Sequence, residues 1–334
     1  MNISSQDILG AVADDVVHLI LFPTEACNFR CTYCYETFQY GRMLPKVVEA
    51  IKSFLRLRMK DLKFIGISWF GGEPLLALDI IRDISYETRT LVQENRTGYF
   101  ADITTNGYYL NPATFRELVD LGIRQFQISL DGPKALHDTK RVLANGTGTF
   151  TRIWNNLKSF RNVESDFTIL VRVHVAKDNY THIGQLIEMY AKIFGSDKRF
   201  QLFLRPLSRL GCPQDANLPV FDNSTGTNII WELVDKAKRL GIDPVTTANL
   251  IPICYATRLN SFAIRADGVI NKCTVKLNLT ENQIGYINTD GTLSLDRNKL
   301  FKWAHGLASA DRDELACPLI NISRTMKLDQ PTIA

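Results

Sequence analysis

The sequence predicts an α/β protein: a core of parallel strands alternating with helices, then a smaller domain of short strands and turns. Three observations lead there. Short apolar segments rich in branched and aromatic residues recur at 17–22, 64–70, 100–105, 125–130, 167–175 and 200–204. Amphipathic stretches separate them. After Leu207 that rhythm stops, and from residue 251 onward three of the seven cysteines follow.

The helices are legible one by one. Val47, Val48, Ile51, Leu55, Met59 and Leu62 fall on one face at three- and four-residue steps. Asn111 suits an N-cap, Pro112 the first helical position, and Gly122 a terminator. Phe150, Ile153, Leu157 and Phe160 form a further stripe, as do Ile183, Leu186, Ile187 and Tyr190. Six strand–helix units imply parallel strands with right-handed crossovers, in an open doubly wound sheet or a barrel; periodicity does not choose between them. A loop over 208–225 leads to one more helix near 228–240. The expected organisation is a core domain at 1–210, a linking loop and helix at 211–250, and a terminal domain at 251–334.

Composition narrows the function. Of 334 residues 45% are hydrophobic, enough for a real core, and the net charge of +4 is spread without a basic run, so nothing calls for nucleic acid. No segment of eighteen unbroken apolar residues marks a membrane span, and the amino terminus lacks a signal-peptide pattern. A cytoplasmic, reducing setting is expected, where clustered cysteines point to metal before disulfides.

Cys27, Cys31 and Cys34 have the spacing Cys-x3-Cys-x2-Cys in a loop at the carboxyl end of the first strand, where both kinds of α/β sheet bind ligands. A zinc site needs a fourth ligand, and the loop offers neither His nor a further Cys. A cubane iron–sulfur cluster held by three thiolates keeps one iron open to another ligand.

This loop resembles the cluster loop of the radical SAM superfamily, in which an aromatic residue, here Tyr33, precedes the third cysteine. The resemblance covers about residues 17–205 and implies a partial (β/α)6, TIM-like barrel, which settles the open choice above. It implies a 4Fe–4S cluster on Cys27, Cys31 and Cys34, with S-adenosylmethionine (SAM) chelating the free iron and Tyr33 near its adenine. Trp69-Phe70-Gly71-Gly72-Glu73-Pro74 looks like the family's GGEP loop, implying that Gly71, Gly72 and Glu73 contact the SAM amino group. Taken alone it is a strand-to-helix turn. Ser129-Leu130-Asp131-Gly132-Pro133 is similar to a run whose serine faces the SAM ribose, and Arg141, twelve residues beyond Ser129, would take the SAM carboxylate. The bland reading of Arg141 is a surface helix charge.

The second cysteine set departs from a full pattern. Cys254, Gly268 and Cys273, with an Asp267-Gly268 hairpin turn between, resemble the opening of a SPASM domain, which implies an auxiliary 4Fe–4S cluster. Only Cys317 follows, so a shortened, twitch-like domain with one auxiliary cluster on Cys254, Cys273 and Cys317 is expected. The alternative is three buried small hydrophobes. Cys212, alone after the sixth strand, is either incidental, a fourth auxiliary ligand, or a thiol that donates a hydrogen atom to a substrate radical. His174 reads as a satisfied wall histidine.

The resemblance implies reductive cleavage of SAM to a 5′-deoxyadenosyl radical that abstracts hydrogen from a substrate. That substrate is expected to be a ribosomally made peptide, encoded nearby, that is crosslinked or epimerised. Flavodoxin or ferredoxin would supply the electron. Only 26 residues precede Cys27, so leader binding would fall to another surface or a partner protein. The alternatives are a small-molecule radical SAM dehydrogenase or cyclase, and a non-catalytic iron–sulfur sensor, against which the GGEP loop and Arg141 argue.

Overall fold

A computed structural model describes residues 3–211, 214–247 and 253–326. In chain order the elements are α1 (Ser5–Val12), β1 (Val16–Thr24), α2 (Pro45–Arg58), β2 (Phe64–Gly71), α3 (Leu78–Asn95), β3 (Gly98–Thr105), α4 (Pro112–Asp120) and β4 (Ile123–Leu130). Then come α5 (Lys134–Lys140), α6 (Phe150–Phe160), β5 (Thr168–Val175), α7 (Tyr180–Phe194), β6 (Phe200–Pro206) and α8 (Asn223–Arg239). The last are β7 (Ser261–Ile264), β8 (Val269–Asn271), β9 (Gln283–Ile287), β10 (Leu293–Leu295), α9 (Arg297–Trp303), α10 (His305–Ser309), α11 (Arg312–Ala316) and α12 (Leu319–Met326). The six core strands fall where the apolar segments predict them.

The chain forms two compact units interleaved along the sequence. Among the described residues the first comprises 3–26, 36–101 and 253–326, the second 27–35, 102–211 and 214–247. Each is described by itself.

In the first unit β1 lies between β2 and β7, parallel to both, and β8, β9 and β10 continue from β7 as antiparallel neighbours. β1 is central, so both faces are covered and Leu19, Leu21 and Phe22 are fully buried, as a parallel interior strand requires. The hairpin between β7 and β8 turns where Asp267-Gly268 predicts: Gly268 takes φ +92°, and the Asp267 side chain accepts the Val269 N–H at 3.1 Å.

In the second unit β4, β5 and β6 are parallel neighbours. Their helix-facing side is aromatic: Phe115 of α4 lies 4.7 Å from Phe126 of β4 and stacks 4.0 Å from Phe160 of α6. Asn111 caps α4 as expected, its side chain accepting the Ala113 and Thr114 N–H groups at 3.0 Å.

Two differences from the sequence reading have physical causes. α8 starts at Asn223 rather than near residue 228, because Asp222 caps it by accepting the Thr225 N–H at 2.9 Å. The terminal segment holds four short helices where only strands and turns were expected. α9 and α11 are capped by Asp296 and Asp311, and runs of five to eight residues are too brief to show a helical period.

Candidate SAM and iron–sulfur sites

None of the six described cysteines, Cys27, Cys31, Cys34, Cys254, Cys273 and Cys317, is in a disulfide. Cys212 lies outside the described residues.

In the second unit the cysteine loop is pinned edge-on to the segment after α5. The Arg30 N–H donates to the Val142 carbonyl at 2.9 Å and the Thr32 N–H to the Lys140 carbonyl at 3.0 Å. The Phe29 N–H donates to the Cys27 sulfur at 3.4 Å, and Asn106 holds the Asn28 side chain at 2.8 Å. Burial raises the Cys31 thiol, and the Arg141 charge opposes that rise.

Tyr33 is more than an aromatic wall. Its hydroxyl donates to Asp131 Oδ2 at 2.5 Å and accepts from Arg141 Nη1 at 2.7 Å. His174 Nδ1 stands 3.1 Å from Asp131 Oδ1. Burial lowers His174 to about 4, so at neutral pH the ring is uncharged and donates Nδ1–H to Asp131. Burial alone would raise Asp131, but the His174 hydrogen bond and the Arg141 charge hold its carboxyl well below the usual range. Arg141 is therefore not the surface charge of the bland reading. It is 8% exposed, and its Nε is buried without a partner. An ionised guanidinium with one edge unspent is a fit for an incoming carboxylate.

His137 fixes the turn that presents Asp131. The Asp131 N–H donates to His137 Nδ1 at 3.3 Å, which leaves the proton on Nε2, facing Thr149 Oγ1 at 3.0 Å; Thr149 in turn donates to the Arg141 carbonyl at 2.6 Å. Asn179 ties the same turn to β5, donating to the Asp131 and His174 carbonyls at 2.9 and 2.8 Å. Sequence reasoning does not single out Asp131, His137 or Asn179. The four-residue spacing from His137 in α5 to Arg141 at its C-cap is the available signal.

In the first unit the GGEP loop explains its glycines. Gly71 takes φ +113°, and a Cβ on Gly72 would sit 2.5 Å from the carbonyl oxygens of both Glu25 and Ala26. The Glu73 N–H donates to the Ala26 carbonyl at 2.9 Å, so this loop clasps the chain just before Cys27. The Glu73 side chain is fully buried and accepts the Leu75 N–H at 3.0 Å. Glu25 forms a two-pronged ion pair with Arg265, both bonds 2.8 Å and both residues 1% exposed.

The sequence profile of the Radical SAM superfamily matches residues 21–190, about half of the chain and the stretch carrying the cysteine loop, GGEP, Ser129 and Arg141. The chain belongs to the radical SAM superfamily.

Among curated relatives, the cysteine-type anaerobic sulfatase-maturating enzyme of Clostridium novyi is 28% identical over 291 residues, spanning 78% of this chain and 74% of that enzyme. Among solved structures, native anSMEcpe with bound AdoMet and Kp18Cys peptide superposes with a TM-score of 0.68 at 20% identity, covering 86% of this chain and 80% of that one. Streptococcus suis SuiB bound to its precursor peptide SuiA follows at 0.56 and 15% identity, covering 80% and 62%. These likenesses show the fold, a radical SAM partial barrel. The protein is thus a radical SAM enzyme, and its cofactors are a 4Fe–4S cluster and SAM. Among the described residues no helix is long and apolar enough to cross a membrane.

The donor chemistry fits those cofactors. Cys27, Cys31 and Cys34 supply three unbridged thiols, and the N–H···S bond to Cys27 is the kind that tunes a cluster. Ser129 stands on β4, 9% exposed, opposite Arg172 of β5.

The second cysteine set lies within the first unit. The Cys254 N–H donates to the Leu315 carbonyl at 2.8 Å, the Val275 N–H donates to the Cys273 sulfur at 3.4 Å, and the Cys317 N–H closes the turn of α11. Burial pushes the Cys254 thiol up to about 12, with the neighbouring Cys273 and Cys317 thiols adding to the rise. The three sulfurs are therefore within electrostatic reach of one another. Among the described residues no three Cys, His, Asp or Glu side chains already stand in a metal-ion geometry.

Proposed function

We propose that this enzyme modifies a ribosomally made peptide by hydrogen abstraction, leading to a crosslink or an inverted α-carbon. The observation that carries it is the overall likeness, at a TM-score of 0.68, to a maturase solved with AdoMet and a peptide, together with a relative named for maturing another protein. Held by Cys27, Cys31 and Cys34, a 4Fe–4S cluster would supply the electron for reductive cleavage of SAM, and SAM would supply the radical that removes a hydrogen atom from the substrate.

The residues have separate roles in this reading. Cys27, Cys31 and Cys34 hold the cluster. Arg141, braced by Tyr33, presents its open edge to the SAM carboxylate, while Asp131 keeps that guanidinium in place. Tyr33 lines the adenine, Ser129 faces the ribose, and Gly71, Gly72 and Glu73 contact the amino group. Cys254, Cys273 and Cys317 hold one auxiliary 4Fe–4S cluster in the segment 251–334. Lys272 supports that assignment: it is buried with the Ser261 carbonyl 2.6 Å from its Nζ, burial pulls it down to about 7, and its positive form favours the Cys254 thiolate. Cys212 is the candidate hydrogen donor for an epimerisation, and a flavodoxin or ferredoxin the electron source.

Co-expression with short peptides encoded beside the gene, followed by mass spectrometry, tests the proposal. Loss of two hydrogens marks a crosslink, and one deuterium taken from solvent marks an epimer. Turnover of a small metabolite with every peptide unchanged would contradict it.

A further inference from the structure

In the first unit β1, β2 and β7 are parallel, so their carboxyl ends share one edge, the side on which α/β sheets bind ligands. Glu25 follows β1, Gly72 follows β2 and Arg265 follows β7. The segment that begins at Glu36 is tied to the same edge. The Glu25 N–H donates to the Gly41 carbonyl at 3.1 Å, the Met43 N–H to the Pro23 carbonyl at 2.8 Å, and Asn278 Nδ2 to Thr37 Oγ1 at 3.0 Å.

Glu36 is the odd member of this edge. Both of its carboxyl oxygens are buried without a hydrogen-bond partner. Burial pushes its carboxyl up to about 8, the Glu25 charge adds to the rise, and Arg265 opposes it. Arg265 has little left to give. Its Nε and Nη2 hold Glu25, its Nη1 donates to the Leu277 carbonyl at 3.2 Å and to Asn278 Oδ1 at 3.1 Å, and its face lies over the Tyr40 ring, 4.8 Å from the centroid. Two carboxyl groups thus share one spent guanidinium. A buried polar group without a partner is costly until something pairs with it. What pairs with Glu36 must donate hydrogen bonds and is best positively charged, because an ionised Glu36 leaves the trio with an excess negative charge. A water supplies the donors but not the charge.

We propose that Glu36 is the seat for a positively charged group of the substrate, the ammonium or guanidinium of a Lys or Arg side chain or a free amino terminus. This rests on the peptide reading above, in which the SAM amino group is taken by the GGEP loop and the cation comes from the peptide. Glu36 stands two residues beyond Cys34, so chain connectivity alone keeps its occupant close to the cysteine loop. The preferred peptide is therefore basic near the reacting residue, and the seat fixes its register.

The test uses the full chain with its clusters reconstituted and SAM present. The probes are short peptide pools labelled with fluorescein at the carboxyl end: one with Lys or Arg at scattered positions and an acetylated amino terminus, its Gln/Met counterpart, and that counterpart with a free amino terminus. Fluorescence anisotropy should show a cation-bearing pool binding about 10–100-fold more tightly than the neutral pool, the worth of a charge-assisted bond. The net charge of +4 works against basic peptides, so the protein's overall field does not produce that preference. Which of the two pools gains identifies the source of the cation. E36Q and E36M, each an independent probe should the other fold poorly, should cut the preference to about threefold or less while SAM affinity stays within about threefold. E36M should also melt no lower than the parent, because an apolar side chain of similar size replaces a buried group without a partner. Equal binding of all pools by the unaltered enzyme would overturn the seat alone, as would a preference that survives in both variants. A clear fall in the melting temperature of E36M would overturn it in favour of a structural role. A loss of SAM affinity of about tenfold in E36Q with the preference intact would overturn it in favour of a cofactor contact. No binding of any pool would overturn the peptide reading itself.

Discussion

Arg141 and Tyr33 show how residues that look ordinary in a sequence acquire a role from what surrounds them. The Tyr33 hydroxyl sits between the Arg141 guanidinium and the Asp131 carboxylate, so replacing either end disturbs both. Arg141→Ala should weaken SAM binding by about 1.5–3 kcal/mol, the range for a charged hydrogen bond, with iron content unchanged. Isothermal titration with SAM reads the first quantity and a ferrozine assay the second. Tyr33→Phe keeps the ring and leaves Arg141 next to Asp131, so it should lose less SAM affinity than Arg141→Ala; an equal loss would place the contact on Tyr33. Gly72 is a second case. A Cβ 2.5 Å from two carbonyl oxygens cannot be absorbed by rotating a side chain. Gly72→Ala should therefore destabilise the chain by about 1–3 kcal/mol, as overpacking does, and an unchanged melting temperature would show that the loop yields. Arg141 and the GGEP glycines are visible in the sequence through the spacing of a family motif, whereas Asp131 and His137 are not. Their significance lies in partners 43 and 12 positions away, as the Asp131–His174 and His137–Thr149 pairs show. No local pattern announces such pairs.

Among the elements, those with strong local chemistry are legible in the sequence and those without it are not. α4 is legible because Asn111, Pro112 and Gly122 mark both its ends, and Gly122 does take φ +89°. Asn111→Ala removes the acceptor for two N–H groups and should cost about 1 kcal/mol, visible as a lowered midpoint in urea unfolding. α9 to α12 escape the sequence reading because each is too short to carry a periodic face. β1 illustrates a different limit. Its apolar run announces a buried strand, but nothing in that run says that β7, far along the chain, lies against it. There, in the first unit, His18 hydrogen-bonds Ser68 at 2.8 Å and Ser261 at 3.1 Å. Burial depresses His18 to about 4. A histidine held neutral in the fold stabilises it fully above its unfolded pKa of about 6.5, and that contribution is lost as pH falls from there toward 4. At the lower limit the loss is about 3 kcal/mol. His18→Gln should be less stable than the parent at pH 7.5, with the gap narrowing at pH 4.5; a gap independent of pH would show that His18 does not titrate with folding.

On the scale of the whole molecule, the parallel α/β architecture is legible from strand–helix alternation, but the choice of a barrel over an open sheet is not. That choice comes from the cysteine loop, a chemical signature rather than a packing one. The division into compact units escapes the sequence too, because the first unit joins segments from both ends of the chain. Two cubane clusters predict about eight irons and eight sulfides per chain after anaerobic reconstitution, and Cys254→Ala with Cys273→Ala should remove about half of each. That double variant should still cleave some SAM while leaving the peptide unmodified. The central claim is that Cys27, Cys31 and Cys34 hold the cluster that cleaves SAM. It is tested most directly by incubating the reduced, reconstituted protein with SAM and measuring 5′-deoxyadenosine by liquid chromatography and mass spectrometry. The unaltered chain should form it, and the triple Cys→Ala variant should form none with about half the iron. Continued formation of 5′-deoxyadenosine by the triple variant would contradict the account.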